Sequence, residues 1–481
     1  MKTMAQIGQF FDQALPPGLV VDVALQGLSN HTHLLQKGWG FVALAGSQKH
    51  GADYWTQAKA QGATCVLSDR EIADCDLPVL LITNLANRLA ELANWFYDFP
   101  SRHIKVIGVT GTNGKTSTTH YIAQLLDSQA KRVGLIGTLG NGEFGQLSET
   151  ANTTPDILVV QGWLAKFVTD GLDYAVMEVS SHGLALGRIT GVEFACVALT
   201  QVTRDHLDFH LDVADYQNTK KRLFRDYVAQ KRVLNLDDSI GRSLVDEPHS
   251  FGYSLKNPAA NLVCESLELS PQGLQGRLVY QNQTYVCQTG LMGAFNAENL
   301  LCALSCLVAL EFELKNILTS LTSLKPVTGR MQPVTVPAKA ITVLVDYAHT
   351  PDALEQVLLG IRAHLNKGQL WVVFGCGGDR DKGKRPLMGE VAERLADQLI
   401  LTSDNPRTEN PQNILRDIQQ GLSQPAIQIE SRQAAIEWAL SQSQAGDLIL
   451  VAGKGHEQTQ EINGVKHPFS DQKVIEQWHP S

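Results

Sequence analysis

No apolar run in the sequence approaches the ~18 residues that a membrane-crossing helix needs. The longest such stretch, Leu300–Leu310, contains Ser305 and is bounded by Asn299 and Glu311, so it reads as a buried helix. The N-terminal stretch Met1–Pro17 holds one lysine and no signal-like apolar core, which leads us to expect a cytoplasmic chain with no membrane insertion. Cysteines are few and unpaired in pattern: the eight at 65, 75, 196, 264, 287, 302, 306 and 376 form no Cys-x-x-Cys motif. That spacing excludes a disulfide framework or a zinc ribbon and fits small apolar residues in a reducing compartment. Cys376 alone stands out, because it sits in a glycine-rich loop. Basic residues are in deficit, 40 against 49 acidic, for a net charge of −9. This argues against nucleic acid as the main partner while leaving room for local anion pockets. Tandem repeats and low-complexity linkers are absent.

What is present is ordinary globular composition, 43% hydrophobic and 19% charged, with forty glycines that point to tight turns and ligand-cradling loops. At about 150 residues per domain, the length implies about three domains. Short β-type runs (Phe41–Leu44, Cys65–Leu67, Val79–Ile82) alternate with helical ones up to a break near Pro100–His103. A second unit opens on the strand-like Ile104–Val109 and continues through Val133–Ile136, Ala175–Val179 and Phe194–Leu199, separated by helical stretches. That alternation predicts a doubly wound, mostly parallel sheet. Residues 260–290 read as a β-rich insertion. A third α/β unit begins near Pro333–Pro337, with strands at Ile341–Val345, Leu370–Phe374, Leu399–Leu401 and Asp447–Ala452. The expected domains are 1–102, 103–333 and 334–481.

The loudest motif is Gly108-Val-Thr-Gly111-Thr-Asn-Gly114-Lys115-Thr116, between a strand and a helix. Such a loop aims backbone N–H groups at phosphate oxygens, and the helix N-terminus adds a favourable dipole. Lys115 would reach the β- and γ-phosphates and Thr116 would hold Mg²⁺. The commoner GxxxxGKT pattern needs glycine where Val109 stands, so the spacing here is GxxGxxGKT.

This loop variant resembles that of the Mur ligase family, ATP-dependent amide-forming enzymes of cell-wall synthesis related to the folylpolyglutamate synthetases. Further stretches agree in order along most of the chain. They include Asn152-Thr-Thr-Pro155, Glu178-Val-Ser-Ser-His-Gly183, Thr203-Arg-Asp-His-Leu-Asp208, Gly293-Ala-Phe-Asn-Ala-Glu-Asn299, Gly329-Arg-Met331, Asp346-Tyr-Ala-His-Thr-Pro-Asp352, Asp404-Asn-Pro-Arg407 and Gly453-Lys-Gly-His-Glu457. The resemblance implies an α/β fold in three parts: a small N-terminal α/β domain for a UDP-sugar, a central P-loop ATPase domain and a C-terminal Rossmann-like domain for the amino acid. It implies transfer of phosphate from ATP to a carboxylate and attack of an amine on the resulting acyl phosphate. Small-molecule substrates, Mg²⁺ and a monomeric chain are expected.

Residue by residue, the resemblance assigns Thr110, Gly111, Thr112, Asn113, Gly114, Lys115, Thr116, Asn296, Arg330 and Asp346 to ATP. It assigns Glu178, His206, Thr116 and Lys220 to metal, with Lys220 as a carbamate and with Lys115, Lys220, Glu178 and His206 as the catalytic set. A bare ammonium at a metal site would repel the ion, whereas a neutral lysine that captures CO₂ becomes an anion. Asn152, Thr153, Thr154, Ser180 and Arg188 resemble contacts to the UDP-muramoyl peptide. In the first domain the family's Asp-Ser-Arg is replaced by Asn30-His31-Thr32-His33. Thr32 still offers a hydroxyl, and Ser47, Gln48 and Lys49 occupy the next expected contact loop. Arg385, Asp404, Asn405, Pro406, Arg407, Gly453 and Glu457 resemble contacts to the incoming amino acid, with Asp-Asn-Pro-Arg pointing to meso-2,6-diaminopimelate. An arginine offers two parallel donors to the distal carboxylate that lysine lacks, and Asp404 can take the amine.

Three rival functions fit parts of the sequence. A lysine-adding ligase is disfavoured by Asp404–Arg407, and a folylpolyglutamate synthetase by the separate N-terminal domain and Asn152–Pro155. A non-catalytic nucleotide switch would leave the metal and amino-acid motifs unexplained. His210 and His349 both stand as candidates for the base that deprotonates the amine.

Overall fold

The computed structural model describes residues 2–15, 24–46, 49–205, 209–270, 272–336, 339, 341–365 and 367–479. The chain divides into two compact units, one of residues 1–115, 126–234 and 238–251, the other of residues 116–125, 235–237 and 252–481.

Besides the small antiparallel pair Lys2–Thr3 with Ala24–Leu25, the first unit holds strands of two larger sheets. Strands Leu28–Ser29, Gly40–Ala43, Cys65–Ser68 and Val79–Leu81 pair in that order, all parallel. The apolar residues of the first hundred positions close around Leu28, Val42, Leu67 and Leu80 and pack on Ile157 and Leu158 of the helix Ile157–Thr169. That helix starts where it does because Asp156 caps it, its carboxylate accepting from the backbone N–H groups of Leu158 and Val159.

In the larger sheet, Val133–Gly137, Tyr174–Glu178, Lys105–Thr110, Phe194–Leu199 and Ala229–Asn235 lie side by side, all parallel. The central strand Lys105–Thr110 is thus flanked by neighbours on both edges. Ligands in such sheets bind beyond the carboxyl ends of the strands, which here are Gly137, Glu178, Thr110 and Leu199. An antiparallel hairpin, Gly140–Glu143 with Gln146–Ser148, extends one edge. Its glycine-rich sequence reads as loop, but Arg132 holds it by pairing with Glu143 through two N–H···O contacts of 2.9 Å.

The second unit contains the expected β-rich insertion as three antiparallel strands, Leu262–Ser270, Gly273–Tyr280 and Gln283–Thr289. The helix Ala294–Ala309 that follows is buried on nearly every side, which explains its continuous apolar run. Six strands form a further sheet, ordered Gln332–Val334, Thr342–Asp346, Leu448–Ala452, Leu370–Phe374, Gln398–Leu401 and Ile427–Gln428. All its pairs are parallel except the edge pair formed by Gln332–Val334. Period-two alternation sorts its side chains onto two cores. Leu344, Val372, Phe374 and Leu450 face one layer of helices, while Val343, Val345, Trp371, Val373 and Val451 face the other. Each such side chain contributes about 1.5–3 kcal/mol by leaving water, so the carboxyl ends of these strands are held firmly.

Among the described residues, no helix is long and apolar enough to cross a membrane. All eight cysteines are outside any disulfide. Cys376, set apart by its loop, is buried beside Met388, and burial pushes its thiol up to about 12. It therefore behaves like the other buried cysteines rather than as a nucleophile.

Candidate active site

Strand Lys105–Thr110 delivers the chain into Gly111–Gly114, and Gly114, at φ +85°, caps the helix Lys115–Ser128. A glycine cap puts no side chain in front of the helix dipole, whose positive end attracts anions. Gly111 must be glycine, because a Cβ there would run into the Thr200 side chain. The loop is clamped from beyond the neighbouring strand. Thr200 Oγ1 donates to the Asn113 carbonyl at 2.6 Å, the Thr112 N–H donates to the Gln201 carbonyl at 2.6 Å, and Thr112 Oγ1 lies 2.9 Å from the Tyr216 hydroxyl. Thr110 is buried and its hydroxyl donates to the Val179 carbonyl at 2.7 Å.

Two lysines converge on this loop. Lys115 Nζ donates to the carbonyls of Gly111 and Thr112, both at 2.9 Å. Lys220, from the helix Val213–Arg225, donates to the same Gly111 carbonyl at 2.8 Å and is only 1% exposed. Burial, reinforced by the Lys115 charge, pushes the Lys220 amine well below the usual lysine range. Lys221, its neighbour, is left partly exposed on the same helix.

Glu178 ends its strand as expected and is 1% exposed. Its carboxylate accepts from the Thr138 N–H at 2.7 Å and from the Thr138 hydroxyl at 3.2 Å. Thr138 in turn lies 3.0 Å from Thr153 through their hydroxyls. Thr154 donates its hydroxyl to the Glu178 carbonyl at 2.8 Å and accepts from the Ser180 N–H at 2.9 Å, while Arg188 donates to the Thr154 carbonyl at 2.7 Å. Glu178, Thr153, Thr154, Ser180 and Arg188 therefore form one connected set. Asn152 sits apart, exposed. Thr138 was missed by sequence reading, although its place just past a parallel strand was a usable signal.

In the N-terminal part, Thr32 lies in a short 3₁₀ turn, half-buried, and Lys49 is exposed. Ser47, Gln48 and His206 lie outside the described residues. His31, also unassigned from sequence, sits 3.6 Å from Asp156, whose hydrogen bond raises the imidazole above its usual range. Among the described residues no group of three His, Cys, Asp or Glu side chains could hold a metal ion, and Glu178 is the one carboxylate of the expected set.

In the second unit, Asn296 is buried, accepting from the Tyr121 hydroxyl at 3.0 Å and donating to the Met292 carbonyl at 2.8 Å. Asp346 ends its strand and takes one backbone N–H on each oxygen, from Met331 and Ala348, both at 2.7 Å. Burial raises its carboxyl above the usual range. The Arg330 guanidinium stacks on Tyr347, 4.6 Å from the ring centre. Burial, with the Arg330 charge next in size, pulls both His120 and His456 down to about 4. The sequence reading did not assign His120, Tyr347 or His456.

The expected amino-acid residues gather at the carboxyl ends of the same six-stranded sheet. Asp404, Asn405 and Pro406 are buried and Arg407 is half-buried. Gly453 passes so close to Asp404 that a Cβ would lie 2.5 Å from its carboxylate oxygen. Asn405 donates to Glu457 Oε2 at 2.8 Å. Arg407 adopts φ +51°, uncommon for a side-chain-bearing residue. A hairpin, Thr459–Ile462 with Val465–Pro468, holds it there: the Arg407 N–H donates to the Glu461 carbonyl at 3.0 Å and the Asn463 N–H to the Arg407 carbonyl at 2.7 Å. The Arg407 guanidinium donates to the Gly378 carbonyl at 2.7 Å and lies 3.4 Å from Glu461. Arg385 is fully buried and spans two carboxylates, Glu409 at 2.9–3.0 Å and Asp417 at 2.8 Å. That bond with Arg385 pulls the Glu409 carboxyl down to about 2. Of the Arg385 nitrogens, Nε alone is buried without a partner.

A glycine-rich loop between a strand and a helix, with a buried lysine bonded to it, and a cluster of charged residues at a sheet end define a nucleotide-dependent α/β enzyme. Comparison narrows the class. Residues 109–307 match the Mur ligase middle domain, and residues 329–455 match the Mur ligase, glutamate ligase domain. The chain is 44% identical over 474 residues to the UDP-N-acetylmuramoyl-L-alanyl-D-glutamate--2,6-diaminopimelate ligase of Alkalilimnicola ehrlichii, with 95% of each chain covered. Its identity to the protein of the same name in Pseudomonas putida is 41% over 478 residues, covering 95% and 96%. A solved structure of a ligase of that name aligns with a TM-score of 0.65 at 37% identity over 94% of both chains. The chain belongs to the Mur ligase family.

Proposed function

We propose that this chain is the ATP-dependent ligase that joins meso-2,6-diaminopimelate to the γ-carboxylate of D-glutamate in UDP-N-acetylmuramoyl-L-alanyl-D-glutamate, in the cytoplasm. The observation that carries the reading is the amino-acid subsite, in which Asp404, Arg407, Gly453 and Glu457 meet at one sheet end. A distal carboxylate satisfies Arg407 and a distal amine satisfies the acids. L-Lysine brings no carboxylate to that guanidinium, leaving it the partly exposed Glu461 3.4 Å away as its anion, a difference that discriminates against it.

In this reading Lys115 and the backbone of Gly111–Gly114 bind the transferring phosphate, and the γ-phosphoryl passes to the substrate carboxylate with release of ADP. The amine then attacks the acyl phosphate and phosphate leaves. Arg188, Ser180 and Thr153–Thr154 orient the UDP-muramoyl peptide. Glu178, Thr116, His206 and Lys220 as its carbamate would hold Mg²⁺, and the hard oxygen donors among them suit that ion. When bound, Mg²⁺ neutralises phosphate charge. The environment of Lys220 supports the carbamate, since only a neutral amine adds to CO₂, giving N–COO⁻ and a proton. The test is a coupled assay for ADP in which each substrate is omitted in turn and meso-diaminopimelate is compared with L-lysine. ADP release should need all three substrates, and equal turnover with L-lysine would refute the assignment.

A further inference from the structure

Within Gly453-Lys-Gly-His-Glu457, the lysine has so far had no role. Lys454 is 0% exposed. Its Nζ donates to Asn405 Oδ1 at 2.9 Å and to Glu457 Oε2 at 2.7 Å. Those two residues also bond to each other, Asn405 Nδ2 donating to the same Glu457 Oε2 at 2.8 Å, and Asn405 Oδ1 accepts a second bond from the Glu461 N–H at 2.9 Å.

The result is a closed three-membered network. It fixes the Asn405 amide the one way round that gives its oxygen two donors. It also occupies one oxygen of Glu457 twice over, and neither Lys454 nor Asn405 uses Glu457 Oε1. Burying an ammonium against a carboxylate is a poor way to gain stability, since the desolvation cost offsets most of the attraction. A methionine-like side chain would fill the same space at less cost. The network acts instead on two residues that face the amino acid.

We propose that Lys454 is a positioning residue of the amino-acid subsite: it locks Asn405 and turns Glu457 so that Oε1 meets the substrate's ammonium group. This rests on the subsite proposed above. Removing a buried, hydrogen-bonded charge leaves its partners unpaired, so Lys454→Met should raise KM for the amino acid by about 30- to 100-fold. KM for ATP and for the UDP-muramoyl dipeptide should stay within about twofold, because uniform binding of those substrates is untouched. Lys454→Gln, which keeps a donor, should fall between. Lys454→Ala should recover its amino-acid KM with propylammonium and not with tetramethylammonium at equal concentration.

The experiment is steady-state ADP release by the full chain with each substrate varied, alongside a thermal melt of each variant. A folded Lys454→Met with wild-type amino-acid KM overturns the proposal. So does a loss of kcat with every KM unchanged, or a parallel rise in all three KM values. If Lys454→Met fails to melt cooperatively, Lys454→Gln and the rescued Lys454→Ala decide by the same criteria, and failure of all three to fold overturns the proposal. Wild-type enzyme that releases no ADP with meso-diaminopimelate overturns the proposed substrate instead, and the KM comparison is then made with whichever amino acid it accepts.

Discussion

Lys220 and Lys454 are equally hidden from water, at 1% and 0% exposure, yet their surroundings differ in kind. Lys220 meets a backbone carbonyl and shares it with a second cation, Lys115. Lys454 meets a carboxylate and an amide oxygen. Desolvation penalises a charge in both places, but at Lys454 a carboxylate within hydrogen-bond reach offsets it, whereas Lys220 feels the Lys115 charge more strongly than that of Asp205. The first environment favours an amine able to react, and the second favours a fixed cation that orients its neighbours. Burial alone does not say what a lysine is for; the charge of the atoms it touches does.

The sharpest way to break this contrast is to restore a permanent charge at position 220. Lys220→Arg keeps a cation but cannot form a carbamate. It should lower kcat about a thousandfold, the scale of several kcal/mol of lost charge stabilisation. Lys220→Ala should be similarly impaired and should regain activity with bicarbonate, formate or acetate, while Lys454→Ala should not respond to those acids. Wild-type rates from unsupplemented Lys220→Arg would place the two lysines in one class.

At the other site the contrast predicts specificity rather than chemistry. On the proposed role of Arg407 as bidentate donor to the distal carboxylate, Arg407→Met should cost kcat/KM for meso-diaminopimelate about a hundredfold, as lost charged hydrogen bonds do. Turnover of L-lysine should hold or rise. Kinetics with both amino acids decide it, and a parallel fall for both would mean that Arg407 acts through the fold.

Much of the phosphate end was legible because the constraint is local. Gly111, Gly114 and Lys115 declare their geometry through spacing, and Glu178 through its place at a strand end. The strands Phe194–Leu199 and Leu370–Phe374 were legible as short apolar runs, whereas Ala229–Asn235, carrying Lys231 and Arg232, was masked by its charges. Lys454 was not legible, since nothing local distinguishes a lysine between two glycines from a solvated residue, and Thr138 offered only its place just past a parallel strand. Their roles come from partners 40 and 49 positions away. The hairpin that holds Arg407 did carry a signal, Asn463-Gly464, whose φ angles of +51° and +75° suit a two-residue turn. It went unread because its flanking residues alternate poorly between apolar and polar.

His120 extends the comparison to a second residue type. Like Lys220, it is largely withdrawn from water, though less completely, and its main charged neighbour is a cation, here Arg330, so its imidazole is neutral until about pH 4. The unfolded chain takes up that proton near pH 6.5, so protonation favours unfolding. The stabilising effect of a neutral His120 is therefore intact above pH 6.5 and is lost as pH falls toward 4. The loss by pH 5 should be about 2 kcal/mol. His120→Phe should flatten this dependence between pH 7 and 5 in urea unfolding. An unchanged slope would show that Arg330 and burial do not act on His120 as they do in the folded chain described above.

The smallest effect separates two carboxylates of the amino-acid subsite. Glu457 is tied to a fully buried lysine, whereas Glu461 lies 3.4 Å from Arg407 with both side chains partly exposed, at 31% and 23%. A half-solvated pair of this kind is worth at most about 1 kcal/mol. If Arg407 engages the distal carboxylate as proposed, Glu461 competes for the same guanidinium. Glu461→Gln should therefore lower KM for meso-diaminopimelate by about two- to fivefold. The effect should shrink as salt is raised, since exposed charges are screened. Glu457→Gln should do the reverse, raising KM by removing the anion that Lys454 orients. Titrations of both variants at low and high salt would separate a competing carboxylate from a recognising one. A rise in KM for Glu461→Gln would show that Glu461 supports Arg407 rather than competing for it.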